Sequence, residues 1–185
     1  MGKGAILLKF NMNEKVYKRS AYSVCQLTTE DGPEIYEMLQ RIGKEENHFQ
    51  NPVHGMSYEQ YKEWLKEQDD WSRGESLPQG YSPQTCFWLI LSDGTPVAFG
   101  KIRHELNENS RMVGGNIGYA VDPLHRGKGF ATVMLKELIS IADDMGVEEK
   151  LLTVEKFNYP SKRVIEKNGG YVFKENEYRW FFHLK

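Results

Sequence analysis

The strongest constraint on this fold is a strand joined to a helix by a glycine-rich turn within residues 114–145. GGNIGYAV (114–121) alternates its side chains in the manner of a β-strand, and Pro123 prevents that strand from continuing its pairing. FATVMLKELISIADDM (130–145) repeats apolar residues on one face and therefore predicts an amphipathic helix. The connecting HRGKGFA (125–131) carries two glycines at the mouth of this helix, although glycine inside a helix costs about 1 kcal/mol relative to alanine. A bound anion would offset that cost.

The turn has the features of a phosphate-binding site. Its backbone N–H groups and those of the first helical turn are unpaired donors at the positive end of the helix dipole. Arg126 and Lys128 add positive charge, while Gly127 and Gly129 allow the backbone to approach a ligand closely. Two common phosphate-binding motifs do not match. A Walker A loop needs Ser or Thr directly after its lysine, and Lys128 is followed by Gly129. The dinucleotide fingerprint G-x-G-x-x-G needs a third glycine where this sequence has Thr132.

The rest of the chain predicts a single domain of alternating strands and helices. Strands are predicted at 20–27, 114–121, 151–155 and 171–185, with a hairpin at 86–106 around Asp93-Gly94. Helices are predicted at 28–43, 57–71, 130–145 and 160–167, and long loops at 44–55 and 72–85. Thr28 with Asp31, and Ser57 with Gln60, have the spacing of a helix-capping box. This order predicts an α/β (mixed α+β) fold: a central mixed, mostly antiparallel sheet with helices on both faces.

Composition excludes several functional classes. The chain has 185 residues, 39% of them hydrophobic, which suffices for one domain with a sizeable core. A net charge of −2 argues against a broad basic surface, so no nucleic-acid partner is expected. The apolar runs are too short to span a bilayer, and no cleavage site of a signal peptide follows the first of them, so no membrane partner is expected. Two cysteines distant in sequence favour free thiols in a reducing compartment. We therefore expect a cytoplasmic protein with an N-terminal extension at 1–19 and one domain at 20–185.

The string RGKGFA (126–131) resembles the Q/R-x-x-G-x-G/A pyrophosphate loop of the GNAT superfamily of acetyl-CoA-dependent N-acetyltransferases. The preceding IGYAVDP (117–123) is similar to that family's strand before the loop, and LLTVE (151–155) to its next strand. Asn158, Ser161 and the KNGG segment (167–170) resemble the family's following helix. The resemblance is closest to an uncharacterised bacterial subgroup of predicted acetyltransferases, through GGNIGYAVDPLHRGKGFAT (114–132), IRHELN (102–107) and VIEKNGG (164–170). Considered separately, the glycine turn is compatible with a simple loop, and Asn158 and Ser161 with simple helix capping.

The resemblance implies a cofactor, acetyl-CoA, bound between a splayed pair of strands at 114–121 and 151–155. The implied cofactor-binding residues are Tyr119, Ala120, Val121, Arg126, Gly127, Lys128, Gly129, Phe130, Ala131, Asn158 and Ser161. It implies that the N–H groups of the loop hold the pyrophosphate, that the strand edge pairs with the pantetheine arm, and that the N–H of Val121 or a neighbour polarises the acetyl carbonyl. The implied reaction is direct attack on the thioester by a primary amine of a small molecule or peptide.

The general base and acid are the part of the family pattern that this sequence does not reproduce. A glutamate used by some relatives is replaced by Asn116, and the tyrosine that many relatives use as general acid is replaced by Ile165. An aliphatic ammonium must nevertheless lose a proton before it attacks. The candidate catalytic residues are Glu155, His104 and Glu105, and water, Tyr159 or Ser161 could protonate the thiolate. Alternatively, these residues have no catalytic role: Glu155 would form an ion pair at the surface, and His104 would lie at an ordinary strand end.

The acceptor and the partners are less constrained. The loops at 44–55 and 72–85 are expected to border the acceptor pocket, and their aromatic and acidic residues would suit a cationic amine. The alternative is that these aromatic side chains only pack the loops onto the sheet. His48 and His54 have no zinc-site spacing, so no metal is expected. A homodimer through the aromatic C-terminal strands is a possible assembly. The main alternative function is a non-catalytic sensor or regulatory module that binds acyl-CoA. A nucleotide binder unrelated to CoA is a third hypothesis, which the failed phosphate-motif matches disfavour.

Overall fold

The computed structural model describes residues 16–19 and 21–184, and shows five helices and ten strands over that range. The helices are α1 (Pro33–Arg41), α2 (Tyr58–Ser72), α3 (Glu108–Met112), α4 (Phe130–Asp144) and α5 (Tyr159–Lys167). The strands are β1 (Val16–Lys18), β2 (Tyr22–Gln26), β3 (Glu45–Glu46), β4 (Phe49–Gln50), β5 (Gln84–Leu91), β6 (Pro96–Arg103), β7 (Ile117–Val121), β8 (Lys150–Glu155), β9 (Tyr171–Glu175) and β10 (Arg179–Leu184).

The strands form two main antiparallel sheets and one small hairpin. The larger sheet has the order β1-β2-β5-β6-β7, the second has the order β8-β10-β9, and β3 pairs with β4. Strand β7 is therefore an edge of the first sheet and β8 an edge of the second. The prediction of an α/β fold with mostly antiparallel strands is confirmed, with the strands divided between two sheets that meet at β7 and β8.

Hydrogen bonds join β8 to the residues that precede β7. The Asn116 N–H donates to the Leu151 carbonyl (2.9 Å), and the Asn116 side-chain oxygen accepts from the Leu151 N–H (2.8 Å). A Cβ at Gly115 would lie 2.0 Å from the Leu151 oxygen, so glycine is required for this approach. Its φ of +70° is also a left-handed conformation that favours glycine. Beyond this junction the two strands separate, as expected for the splayed pair.

Helices pack on both faces of the larger sheet, as predicted. On one face α4 lies so close to β6 that a Cβ at Gly100 would be 2.2 Å from the Met134 methyl group. On the other face α1 and α2 cover an aromatic cluster in which Trp88 and Phe99 are fully buried. The apolar core between α4 and the sheet, and the aromatic cluster beneath α1 and α2, pack against opposite faces of β6 and β7 and fix their position.

The two predicted capping boxes have different outcomes. The Ser57–Gln60 pair forms a capping box at the start of α2, as predicted. The Thr28–Asp31 prediction is wrong, because α1 begins only at Pro33 with Gly32 as its N-cap and no side-chain cap. Asp31 instead accepts hydrogen bonds from Thr28 and from the Trp88 indole, and closes a turn before the helix. The proline fixes the start of the helix, since its ring suits the first helical turn.

The sequence analysis did not anticipate four short elements: β1, the β3–β4 hairpin, and α3. Most of the predicted N-terminal extension (1–19) lies outside the described residues. Within it, Val16–Lys18 pairs with β2, so this end of the extension adds a strand to the edge of the sheet. The domain boundary at residue 20 stays a prediction. None of the helices described is long and apolar enough to cross a membrane.

Candidate active site

A cleft of about 570 Å³ opens where β7 and β8 separate. Its walls are the edges of these two strands, the glycine loop (residues 126–131, here including the start of α4), and α5. The β3–β4 hairpin, residues 45–50, contributes the remaining wall. Of the two long loops expected to border this region, 44–55 does so through the hairpin, whereas 72–85 is not part of the cleft wall.

The edge of β7 presents unpaired backbone groups to the cleft. The Arg103 N–H donates to the Asn116 carbonyl (2.8 Å), and the Asp122 N–H donates to the Val97 carbonyl (2.9 Å). Because the residues of an antiparallel strand alternate between pairing with the neighbour and pointing away, the even-numbered residues of β7 bond to β6. The N–H groups of Tyr119 and Val121 therefore point toward the free edge, where a ligand could pair with them.

The glycine loop offers a row of free donors beside that edge. Within the described residues, no backbone N–H of residues 126–131 donates to another group of the protein. Gly127 (φ +75°) and Gly129 (φ +86°) both adopt the left-handed conformation, and a Cβ at either would meet nothing within 4 Å. These amides precede the 15-residue helix α4, whose dipole places positive charge at the same end. The loop is thus open toward the cleft and suited to phosphate oxygens.

The two cations of the loop are already engaged with the protein. The Arg126 side chain donates to the Val121 carbonyl (3.1 Å) and forms an ion pair with Glu46 of the hairpin. Lys128 donates to the Leu124 carbonyl (3.2 Å) and, unlike the other predicted cofactor-binding residues, does not line the cleft. Main-chain amides therefore supply most of the donors that face the cleft at this point.

Helix α5 closes the cleft opposite β7. Asn158 caps the helix by accepting a hydrogen bond from the Ser161 N–H (3.2 Å), which is the capping role considered from sequence. The Ser161 hydroxyl lies 2.8 Å from the Tyr119 hydroxyl. Burial raises the pKa of Tyr119 to about 12, so its phenol stays protonated at neutral pH and can donate to a ligand or to Ser161. Asn158, Ser161 and Tyr119 all line the cleft.

The residues present fit a cofactor that carries a diphosphate and an extended arm. The free amides of the loop suit the diphosphate, and the free edge of β7 suits an arm with amide groups. The predicted cofactor-binding residues that line the cleft together are Tyr119, Ala120, Val121, Arg126, Gly127, Gly129, Phe130, Ala131, Asn158 and Ser161.

The three candidate catalytic residues lie in different places. Glu155, at the end of β8, pairs with the imidazole Nε2 of His48, which lines the cleft, and lies 3.5 Å from the Arg179 guanidinium. His104 is hydrogen-bonded through Nε2 to Thr85 (2.8 Å) and is not part of the cleft wall, and burial lowers its pKa. Glu105 does not line the cleft either. The structure therefore brings only Glu155 close to the cleft, and it does so through a histidine.

The family positions for base and acid hold structural residues in this chain. Asn116 is buried, and its amide donates to the Glu149 carbonyl (2.5 Å), which strengthens the junction before β7. Ile165 is fully buried in the core beneath Gly170. Neither side chain can transfer a proton.

Among the residues of the cleft wall that sequence analysis did not predict are His48, Lys101 and Arg103. His48 was considered only as a metal ligand, and no group of three or more His, Cys, Asp or Glu side chains in residues 16–19 and 21–184 could hold a metal ion. A signal for the other two was present, because PVAFGKIR (96–103) places two cations two residues apart in a strand that is otherwise apolar.

Comparison with known proteins agrees with this geometry. The sequence model of the Acetyltransferase (GNAT) family matches residues 39–171. No curated protein matches the chain.

Solved structures with a similar fold include three acetyltransferases. The ribosomal-protein-S5-alanine acetyltransferase of Vibrio fischeri is 14% identical with a TM-score of 0.70, over 91% of this chain and 95% of that one. Campylobacter jejuni N-acetyltransferase PseH in complex with acetyl coenzyme A is 14% identical with a TM-score of 0.60, over 89% and 98%. The GNAT domain of S. lividans PAT is 13% identical with a TM-score of 0.62, over 95% and 100%. At these identities the likeness shows the fold alone, but the match of the family model covers most of the sequence. The chain therefore belongs to the GNAT family of acetyltransferases, which use acetyl-CoA as their cofactor.

Proposed function

We propose that this protein transfers the acetyl group of acetyl-CoA directly to a primary amine of a small molecule or peptide. The observation that carries the proposal is the row of free N–H groups at residues 126–131, placed beside the free edge of β7. When bound, acetyl-CoA would supply an acetyl group activated as a thioester. The remaining work of the reaction falls to the residues of the chain.

The backbone holds and polarises the cofactor. The amides of the glycine loop bind the diphosphate, and the N–H groups of Tyr119 and Val121 are free to pair with the arm and the acetyl carbonyl. An N–H aimed at a carbonyl oxygen stabilises the negative charge that develops there, and one such donor contributes about 3 kcal/mol in other acyl transfers. The Tyr119 hydroxyl, protonated and paired with Ser161, is a donor for the departing thiolate.

His48 is the group best placed to accept the proton of the acceptor ammonium. Its imidazole lines the cleft, and Glu155 holds Nε2 and thereby fixes the orientation of the ring. In this scheme Glu155 is a positioning residue, while His104 and Glu105 remain the alternatives predicted from sequence. His48→Gln and Glu155→Gln should each lower kcat, and the rate should recover at high pH, where the amine loses its proton without help.

Cofactor binding is tested by calorimetry with coenzyme A on the purified chain. Gly129→Glu places a carboxylate among the amides of the loop, so we expect the affinity to fall at least tenfold. Gly80→Glu is the matched control, because Gly80 has a similar φ of +83° and equally open surroundings but does not line the cleft. Absence of heat with millimolar coenzyme A, or equal binding by both variants, would overturn the proposal.

Acetyl transfer is tested separately by release of free thiol from acetyl-CoA in the presence of amines. One observation favours a second function, a non-catalytic module that binds acyl-CoA: Asn116 and Ile165 occupy the positions of the family's base and acid. Binding of coenzyme A without thiol release for any amine would support that second function and contradict the first.

A further inference from the structure

Strand β6 presents two cations to the cleft, on the face opposite α4. Lys101 and Arg103 stand two residues apart on β6, so their side chains project from the same face as that of Phe99. Lys101 is paired with Gly118 of β7, and Phe49 of the hairpin packs over Gly118 at 3.3 Å from the position of a Cβ. The Tyr119 side chain packs on the other face, with the core beneath α4. The two cations are thus separated by the sheet from the surface proposed to hold the cofactor.

Neither cation forms an ion pair with any carboxylate in the part of the chain described, residues 16–19 and 21–184. The Lys101 amine donates to the Gln50 carbonyl (2.6 Å), and the Arg103 guanidinium to the Gly115 carbonyl (2.7 Å), and both acceptors are neutral. Glu46, which lines the cleft, and Glu155, which lies behind His48, are engaged elsewhere. Glu46 pairs with Arg126, and Glu155 pairs with His48 and lies near Arg179.

Burial makes this uncompensated charge costly. It lowers the pKa of Arg103, and it lowers the pKa of Lys101 to about 8 with a further contribution from Arg103. Cys86, which faces Lys101 across the β5–β6 ladder, offers no negative charge at neutral pH because burial raises its pKa to about 12. Both side chains are partly buried. Cations withdrawn from water are normally paired, and perturbed groups that line a cleft are frequent at binding sites.

We propose that the acceptor carries an oxyanion, a carboxylate or a phosphate, that binds between Lys101 and Arg103. This inference rests on the proposed function, and it names the class of acceptor. The guanidinium can donate two parallel hydrogen bonds to either oxyanion, and the lysine adds a point charge. The Phe49 and Phe99 rings, each within 5 Å of the Lys101 amine, exclude water from one side of the site. The aromatic and acidic residues of the two long loops would suit a cationic amine, whereas the β6 wall of the cleft carries positive charge.

A matched set of amines tests the inference by turnover. The probes are 4-aminobutanoate, its neutral amide, 3-aminopropyl phosphate and 1,4-diaminobutane, together with α-amino acids and their amides. We expect kcat/KM for the carboxylate or the phosphate probe to exceed that of the neutral and cationic probes at least tenfold, and the comparison of the two anions distinguishes carboxylate from phosphate. Arg103→Gln should abolish the preference, Arg103→Lys should restore part of it, and Arg111→Gln, outside the cleft wall, should leave it unchanged. A preference for the neutral or cationic probes would overturn the inference and leave acetyl transfer intact.

A second measurement does not depend on turnover. Trace labelling of the folded protein with acetic anhydride, followed by peptide mass spectrometry, reports the reactivity of Lys101. We expect the anionic probes, but not the neutral amide or the diamine, to slow labelling of Lys101 at least threefold, and this protection should be lost in Arg103→Gln. Protection without thiol release would support the anion site and count against acetyl transfer. Equal labelling with all probes would overturn the anion site even if coenzyme A binds. Circular dichroism of each variant checks that it has folded.

Discussion

Replacing Lys101 by methionine should stabilise the protein, although most substitutions of a partly buried side chain destabilise. Burial lowers the pKa of Lys101 from 10.5 to about 8. At about 1.4 kcal/mol for each tenfold change in an equilibrium constant, keeping this amine charged in the folded state costs about 3 kcal/mol at neutral pH. The side chain is only partly buried, so water reduces that cost. The substitution also removes the hydrogen bond to Gln50 and the cation–π contacts with Phe49 and Phe99, and this loss lowers the gain in stability by about 1 kcal/mol. We therefore expect a net gain of about 1 kcal/mol.

The pH dependence of this gain identifies its cause. A lysine with a lowered pKa in the folded state destabilises the fold fully below about pH 8, and the penalty disappears as the pH rises toward the unfolded value of 10.5. The advantage of Lys101→Met in the free energy of unfolding should thus be largest at pH 7 and vanish near pH 10. The neighbouring Arg103 stays charged and Cys86, with a pKa of about 12, stays neutral over this range.

Urea unfolding at pH 7, 8, 9 and 10, followed by tryptophan fluorescence, measures the difference. Lys66→Met is the control, because Lys66 is exposed and paired with Glu63 on the surface of α2, and its effect should stay within about 0.5 kcal/mol at each pH. A loss of stability in Lys101→Met at pH 7, or a difference that does not shrink between pH 7 and pH 10, would refute the reasoning.

Two further substitutions test how the cleft is built, both by urea unfolding. Gly115→Ala should cost at least 3 kcal/mol, because the new Cβ would meet the Leu151 carbonyl at 2.0 Å, whereas Gly127→Ala, with a similar φ but open surroundings, should cost only about 1 kcal/mol; equal losses would show that β7 and β8 do not need this close approach. Asp122→Asn should cost about 2–3 kcal/mol at pH 7, because the buried carboxylate accepts two hydrogen bonds from Arg41. Burial alone would raise the pKa of Asp122, but its hydrogen bonds and the Arg41 charge hold that pKa below 3.8. The stability that the Asp122 carboxylate contributes is present above pH 3.8 and is lost as the pH falls through its lowered pKa, so a difference between wild type and Asp122→Asn that does not shrink on acidification would contradict this assignment.

Local sequence signals predicted the part of the site that the backbone forms. Alternation in 114–121, the proline that follows, and the glycines of the 125–131 turn are features of neighbouring residues, and they were sufficient to place the glycine loop at the start of α4. The helices and the long strands were predictable for the same reason, since the spacing of apolar residues within each segment distinguishes a helix from a strand.

The side of the cleft proposed to hold the acceptor depends on contacts between distant segments. His48 approaches Glu155 across 107 positions of sequence, and the hairpin that carries it has strands of only two residues. Strands of two residues are too short to show an alternation of apolar and polar side chains. The position of this hairpin depends instead on packing against Gly118 and Phe99. The direction of Lys101 and Arg103 likewise became known only when the pairing of β6 with β7 fixed which face each residue occupies.

The alternation of β7 separates the side of the cleft proposed to hold the cofactor from the side proposed to hold the acceptor. Its odd-numbered side chains pack toward α4, and Gly118 and Ala120 point toward the hairpin and the aromatic cluster. On the proposed function, changes at Gly118 or at its neighbours on β6 would alter which amine is accepted and leave the groups proposed to hold acetyl-CoA in place. A single residue inserted in this strand would move each following side chain to the opposite face, and would disrupt both proposed sides of the cleft together.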